Sequence, residues 1–164
     1  MTATVRLATH DDVPAIIGVG HRSWRETCVP NLSQDYIDAS LARWWTRDAI
    51  GWEVGGGRML VAVQDDVVVG VASAGHLNGD LVLFKLYVLP EHQRSGAGRV
   101  LLERVLADAR DGGHQIVRAS YFDGVEHAGA FYHACGFHET HRDKAGDGVP
   151  ASVWLVRDVW QECP

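Results

Sequence analysis

The sequence predicts one α/β domain with a mixed, mostly antiparallel sheet of about six to seven strands and helices on both faces. The chain has 164 residues, close to the length of a single domain. Its hydrophobic content of 46% is sufficient for a substantial core. Strand-like and helix-like hydrophobic patterns follow one another from residue 4 to residue 159, with no repeat, low-complexity tract or linker between them. We therefore expect residues 1–164 to form one domain.

The N-terminal third of the chain is predicted to contain one strand and two helices. Residues 4–8 alternate like a strand, and an apolar-periodic helix follows a polar cap that starts at Thr9. Ser33 is predicted to cap the second helix. Gly51 and residues 55–57 then indicate a loop.

Three consecutive strands are predicted in the middle of the chain, over residues 59–63, 67–73 and 81–88. A short polar turn joins the first two as a hairpin, and an amphipathic helix begins near Gly98. The remaining predicted elements are a strand at 115–121, a helix at 126–135, and strands at 137–141 and 151–159.

The loop at residues 93–98, between a strand and a helix, is predicted to bind a phosphate or pyrophosphate. Gly96 and Gly98 accept positive φ and keep side chains away from the backbone amides. The helix start adds unpaired N–H groups and the positive end of its dipole. An ordinary strand-to-helix turn is also compatible with these two glycines. A Rossmann site and a Walker loop are disfavoured, because the Gly-x-Gly-x-x-Gly and Gly-Lys-Ser/Thr patterns are absent.

The residues around this loop carry a family resemblance. The run Leu-Tyr-Val-Leu-Pro-Glu at 86–91, followed by Gln93-x-x-Gly96-x-Gly98, resembles the acetyl-CoA loop of the GNAT N-acetyltransferase family. A second run, Ala-Gly-Ala-Phe-Tyr-His-Ala-Cys-Gly-Phe at 128–137, is similar to the family's Ala-x-x-Phe-Tyr-x-x-x-Gly-Phe segment. The resemblance implies a fold in which the fourth strand bulges and separates from the fifth, leaving a cleft for the pantetheine arm.

The resemblance also implies an activity, namely acetyl transfer from acetyl-CoA to a primary amine of a small molecule or peptide. The amine attacks directly in a ternary complex, so no metal is required, and Tyr132 is the general acid that protonates the sulfur. Aromatic packing is the alternative role for Tyr132. The implied cofactor-binding residues are Leu86, Tyr87 and Val88 for the arm, Gln93, Arg94, Ser95, Gly96, Ala97, Gly98 and Arg99 for the pyrophosphate, and Tyr132.

Two positions depart from the family pattern. Val125 stands where many members have an asparagine that holds the cofactor arm, and Val82 stands where some have a general-base glutamate. An alkylammonium with a pKa of about 10.4 is mostly charged at neutral pH, so some group is expected to accept its proton.

The first candidate for that group is Glu26, because the Ser-Trp-Arg-Glu-Thr segment at 23–27 is similar to a first-helix segment that lines the acceptor side in many relatives. His76 and Asp80 are further candidates. Trp24, Glu26 and His76 are predicted to contact the amine substrate. For each candidate base, a solvated surface role is the alternative.

Composition restricts the partners and the compartment. The net charge of −6 argues against a nucleic-acid partner and mildly favours a cationic substrate. No apolar run or leader pattern indicates a membrane span or a secretory signal, so we expect a cytoplasmic protein. The scattered cysteines Cys28, Cys135 and Cys163 indicate reduced thiols, and the histidines show no metal-ligand spacing. GNAT proteins often dimerise, so the resemblance leaves a homodimer open.

Two other function classes remain open at this stage. One is a non-catalytic regulatory module that binds acyl-CoA as a ligand. The other is an acyltransferase that uses a different acyl donor or acceptor.

Overall fold

The computed structural model describes residues 2–27, 32–146 and 148–162, so Cys28 and Cys163 lie outside the described residues. The strands are β1 Thr4–Leu7, β2 Met59–Gln64, β3 Val67–Leu77, β4 Asp80–Val88, β5 Ile116–Phe122, β6 His138–Arg142 and β7 Ser152–Asp158. The α-helices are α1 Val13–Thr27, α2 Gln34–Trp44, α3 Arg47–Gly55, α4 Ala97–Asp111 and α5 Glu126–Ala134. Short 3₁₀ helices cover His10–Asp12 and Pro90–His92.

The strands form one sheet in the order β1-β2-β3-β4-β5-β7-β6. β4 and β5 run parallel, and every other neighbouring pair is antiparallel. Asp65 and Asp66 connect β2 to β3 with φ values of 51° and 62°, as a tight hairpin turn between right-twisted strands requires. The predicted mixed, mostly antiparallel sheet is confirmed.

Helices cover both faces of the sheet, as predicted. On one face, α1, α2 and α3 bury Ile16, Ile37 and Ile50 against β2 and β3. On the other face, α4 buries Leu101 and Leu102 in a cluster that also contains Tyr132 of α5. No helix in the described part of the chain combines the length and the apolar character needed to span a bilayer.

The loop predicted around Gly51 is wrong, because this glycine lies inside α3. The Thr46 side chain caps the helix by accepting a hydrogen bond from the Ala49 N–H at 3.2 Å. Ile50 and Val54 are buried. Their burial offsets the low helix propensity of glycine, which is why a prediction from glycine alone failed here.

The parallel pairing of β4 with β5 is short, and it sets the position of the site. It consists of Leu81 with Val117 and Val82 with Arg118. Beyond Val82, the rest of β4 pairs only with β3. That pairing contains a bulge, because Ser73 faces Lys85 while Ala74 faces Leu83, so Phe84 is the extra residue. The bulged fourth strand and the open cleft beside it agree with the expected fold.

Two glycines of α1 give a matched test of how α1 packs against the buried Trp45 ring. A Cβ on Gly20 would lie 2.0 Å from the buried Trp45 ring, so Gly20→Ala should lower the free energy of unfolding by about 1–3 kcal/mol. Gly18 is exposed with no such neighbour within 4 Å, so Gly18→Ala should raise it by about 0.5–1 kcal/mol. Urea unfolding of the three proteins measures both changes. Changes of the same sign would contradict the described contact between α1 and Trp45.

Candidate active site

A cavity of about 1070 Å³ lies along the cleft between β4 and β5. Its walls come from β4 at Leu83 to Val88, from β5 at Ser120 to Phe122, and from the loop and helix start that contain Gln93, Gly96 and Gly98. Residues of α5 and aromatic residues of α1, α2 and α3 complete it. One cavity therefore joins the predicted phosphate loop, the open strand edge and the predicted acceptor side.

The phosphate-loop end of the cavity is shaped by the backbone. Arg94 and Gly96 adopt left-handed conformations with φ of 64° and 89°, and α4 begins directly after Gly96. The amides of the first turn of a helix have no partner within it, and they carry the positive end of the dipole. Arg94 and Arg99 both line the cavity, and Arg99 also pairs with Glu103 at 3.3 Å. This end can hold a polyanion.

Two residues of the predicted loop set do not line the cavity. Ser95 donates its hydroxyl to the His92 carbonyl at 2.5 Å, which closes the turn before α4. Ala97 is buried in the core as the first residue of α4. Both support the loop conformation from outside the cavity wall.

The open edge of β4 presents peptide groups to the cleft. The Leu89 N–H donates to the Val69 carbonyl of β3 at 2.8 Å. Because peptide groups alternate in direction along a strand, those of Val88 and Leu86 face away from β3 and into the cleft. The Val88 carbonyl accepts a hydrogen bond from the Gln93 amide at 3.4 Å. An extended ligand can add to this edge as a further strand.

Tyr132 lines the same cavity from α5. Its ring packs edge-on against Phe131 and Phe137, with centroids 5.5 and 5.2 Å apart. Burial raises the pKa of the phenol above its usual value near 10, so the group is protonated at neutral pH. It can act only as a proton donor there. Val125 precedes α5 and also lines the cavity, so an apolar side chain occupies the position where the family resemblance led us to expect an amide.

The acceptor end of the cavity is aromatic. The Trp24 and Tyr87 rings lie 6.4 Å apart, and the Trp45 and Tyr87 rings lie 5.3 Å apart. The Trp24 Nε1 atom is buried and has no hydrogen-bond partner among the described residues. Further aromatic residues of this wall are Tyr36, Trp44, Trp52, Phe84 and Phe122.

Three polar residues in this aromatic wall were missed by the sequence analysis. Lys85 is buried in β4, and its ammonium donates to Glu53 Oε1 of α3 at 2.5 Å. Ser73 of β3 is buried opposite Lys85. The lysine within the apolar run at 81–88 was a usable signal, because a lysine is almost never fully buried unless it is paired. Glu53 had no such signal, since the glycines around it indicated a loop.

Glu26 and His76, each predicted both as a candidate base and as an acceptor contact, do not line the cavity. Glu26 is about half exposed and lies 3.4 Å from Arg22 on the same helix. The His76 ring lies 3.4 Å from His114. Asp80 pairs with Arg118 at 2.6 Å and is likewise absent from the wall. Trp24 is the predicted acceptor contact that the structure does place there.

No three His, Cys, Asp or Glu side chains come close enough to hold a metal ion within residues 2–27, 32–146 and 148–162. Cys135 is buried and lines the cavity beside Tyr132.

Comparison with known proteins places the chain in a family. Residues 20–137 match the acetyltransferase (GNAT) family. The chain belongs to the GNAT acetyltransferase family. It is 35% identical over 144 residues to the aminoglycoside N(6')-acetyltransferase type 1 of Stenotrophomonas maltophilia, covering 85% of this chain and 88% of that protein. It is 31% identical over 162 residues to an L-methionine sulfoximine/L-methionine sulfone acetyltransferase of Salmonella typhimurium, covering 93% and 89%.

Solved structures agree on the GNAT fold. The PaiA N-acetyltransferase of Thermoplasma acidophilum, in complex with coenzyme A, superposes with a TM-score of 0.86 at 19% identity, covering 96% of this chain and 99% of that one. The structure of YncA from Salmonella typhimurium with its cofactor acetyl-CoA gives a TM-score of 0.73 at 23% identity, covering 100% of this chain and 98% of that one. This GNAT protein is thus an acyltransferase. The two solved structures that it resembles hold coenzyme A and acetyl-CoA.

Proposed function

We propose that this GNAT protein transfers the acetyl group of acetyl-CoA to a primary amine of a small molecule or peptide, by direct attack within a ternary complex. The observation that carries the proposal is the single cavity that joins the phosphate loop, the open edge of β4, Tyr132 and an aromatic acceptor end. Both substrates can therefore meet beside one buried acid.

Acetyl-CoA would be held mainly by backbone groups. The turn at Arg94 and Gly96 and the start of α4 would bind the pyrophosphate, and the side chains of Arg94 and Arg99 would add positive charge. Gln93 fixes the end of the strand through its bond to Val88. The pantetheine arm would pair with the cleft-facing peptide groups of Leu86 and Val88.

The chemistry then needs two groups of the enzyme at the thioester. The Val88 N–H faces the cleft and would stabilise the oxyanion that develops when the amine attacks the carbonyl carbon. As the new C–N bond forms and the C–S bond breaks, Tyr132 would donate its proton to the departing sulfur, and the proton that the nitrogen loses on becoming an amide would restore the phenol. Burial keeps the phenol protonated until that moment.

The cofactor assignment is tested by thermal unfolding with acetyl-CoA, coenzyme A and NADH. A ligand at one hundred times its dissociation constant adds about 2.7 kcal/mol to the stability of the native state. We expect both coenzyme A forms to raise the midpoint and NADH to leave it unchanged. If neither coenzyme A form changed it, the loop would be an ordinary strand-to-helix turn and the proposed function would fail.

Replacement of the acid tests catalysis separately from binding. Tyr132→Phe should lower kcat by roughly a hundredfold or more, because general acid catalysis contributes at least that factor. Acetyl-CoA should still bind, since the ring and its aromatic contacts remain. The comparison variant is Tyr121→Phe, which removes another phenol of the same cavity and should cost much less. Rates are measured as free coenzyme A thiol released with a panel of amines.

The same assay distinguishes the alternative functions. A non-catalytic acyl-CoA-binding module would bind acetyl-CoA and release no thiol with any amine, in the wild type as in Tyr132→Phe. An acyltransferase with another donor would release thiol faster from a longer acyl-CoA than from acetyl-CoA.

A further inference from the structure

Glu53 supplies the only carboxylate among the described residues that line the cavity. It extends from α3 into the aromatic acceptor end and meets Lys85, which lies three residues before Val88, or about 10 Å back along β4. Arg58 and Lys85 are the other charged residues of this end of the wall. A cationic group entering here therefore finds one anionic partner.

The carboxylate is only half paired. Glu53 Oε1 accepts the hydrogen bond from Lys85, whereas Oε2 is buried and has no hydrogen-bond partner among the described residues. The hydroxyl of Ser73, which lies across the β3–β4 pairing from Lys85, is also buried and has no hydrogen-bond partner among the described residues. Buried polar atoms in folded proteins nearly always have a partner. Two such atoms beside one cavity indicate a polar ligand group that completes them.

The chemistry of the two atoms selects that ligand group. An ionised carboxylate only accepts hydrogen bonds, whereas a hydroxyl donates or accepts. A primary ammonium offers three donors and a positive charge, so its chemistry matches both the carboxylate oxygen and the hydroxyl as acceptors. The aromatic wall also favours a cation, because the faces of rings attract positive charge, as Lys85 already shows by lying 5.2 Å from the centre of the Trp45 ring.

We propose that Glu53 binds the ammonium group of the acceptor and accepts its proton before the attack on acetyl-CoA. This inference rests on the proposed function. One N–H bond of the ammonium breaks, its electron pair stays on nitrogen, and the proton forms an O–H bond at Glu53 Oε2. The neutral amine then attacks the thioester. Lys85 is a positioning residue, because it holds Oε1 and leaves Oε2 as the unpaired oxygen.

The role of Glu53 replaces the one that the sequence indicated for Glu26. Glu26 is half exposed, lies beside Arg22 and does not line the cavity. His127 lines the cavity, but it is exposed on α5, the helix that carries Tyr132 on the cofactor side.

A binding experiment tests this assignment without knowledge of the natural acceptor. The probes are n-butylammonium and its neutral analogue 1-butanol, titrated by NMR into the protein saturated with coenzyme A. The wild type should bind the ammonium at least about tenfold more tightly than the alcohol, the factor expected of a charge-assisted hydrogen bond. Glu53→Gln should lose that preference. Equal binding of both probes by the wild type, or a preference that survives in Glu53→Gln, would overturn the proposal.

Matched variants address folding and specificity. The double variant Glu53→Gln/Lys85→Met removes both charges, so it leaves no unpaired buried ion, and it should show the same loss of preference. Glu139→Gln removes a carboxylate that pairs with Arg142 on the exposed strand β6, and it should behave as the wild type. A loss of preference in Glu26→Gln with retention in Glu53→Gln would return the role to Glu26.

Turnover separates this proposal from the proposed function. With n-butylamine as acceptor, Glu53→Gln should lower kcat by roughly a hundredfold while the KM for acetyl-CoA stays within about twofold. If the wild type showed a Glu53-dependent ammonium preference but released no thiol with any amine, the acceptor site would stand and the transferase function would fail. If thiol release were unaffected in Glu53→Gln, the transferase function would stand and the proposed role of Glu53 would fail.

Discussion

The pairing of β4 with β5 ends after Val82, and the geometry of the site depends on that early end. If the two strands had continued together, the peptide groups of Leu86 and Val88 would be occupied by β5. Their separation leaves one strand edge open inside the protein, where helices on both faces shield it from other chains. An open edge in a sheltered cleft can bind an extended ligand without becoming an aggregation site.

The two ends of the cavity use different parts of the chain. At the cofactor end, the binding groups are backbone amides held in place by a short local segment, so the side chains can vary as long as the turn is kept. At the acceptor end, side chains from α1, α3, β3 and β4 meet across long stretches of sequence. The bulge at Phe84 contributes to this arrangement, because it sets the register in which Lys85 lies opposite Ser73.

This difference explains what could be predicted from the sequence. The order of the strands and of the helices other than α3, the Ser33 cap and the loop before α4 follow from local patterns of hydrophobicity, capping and glycine, and the structure contains them. Helix α3 was missed because Gly51 was read without the burial of Ile50 and Val54 that supports it. Glu53 was missed with it, and Glu26 was preferred because a motif in α1 could be read locally. A contact between α3 and β4, 32 residues apart, leaves no local pattern.

The most direct test of the open edge is amide hydrogen exchange with and without acetyl-CoA. If the arm adds to β4 and the pyrophosphate binds the start of α4, exchange should slow in the peptides that cover residues 83–88 and 93–99, while β1 and β6 stay unchanged. Acetyl-CoA binding that protects some other segment and leaves residues 83–88 unchanged would contradict strand addition at this cleft.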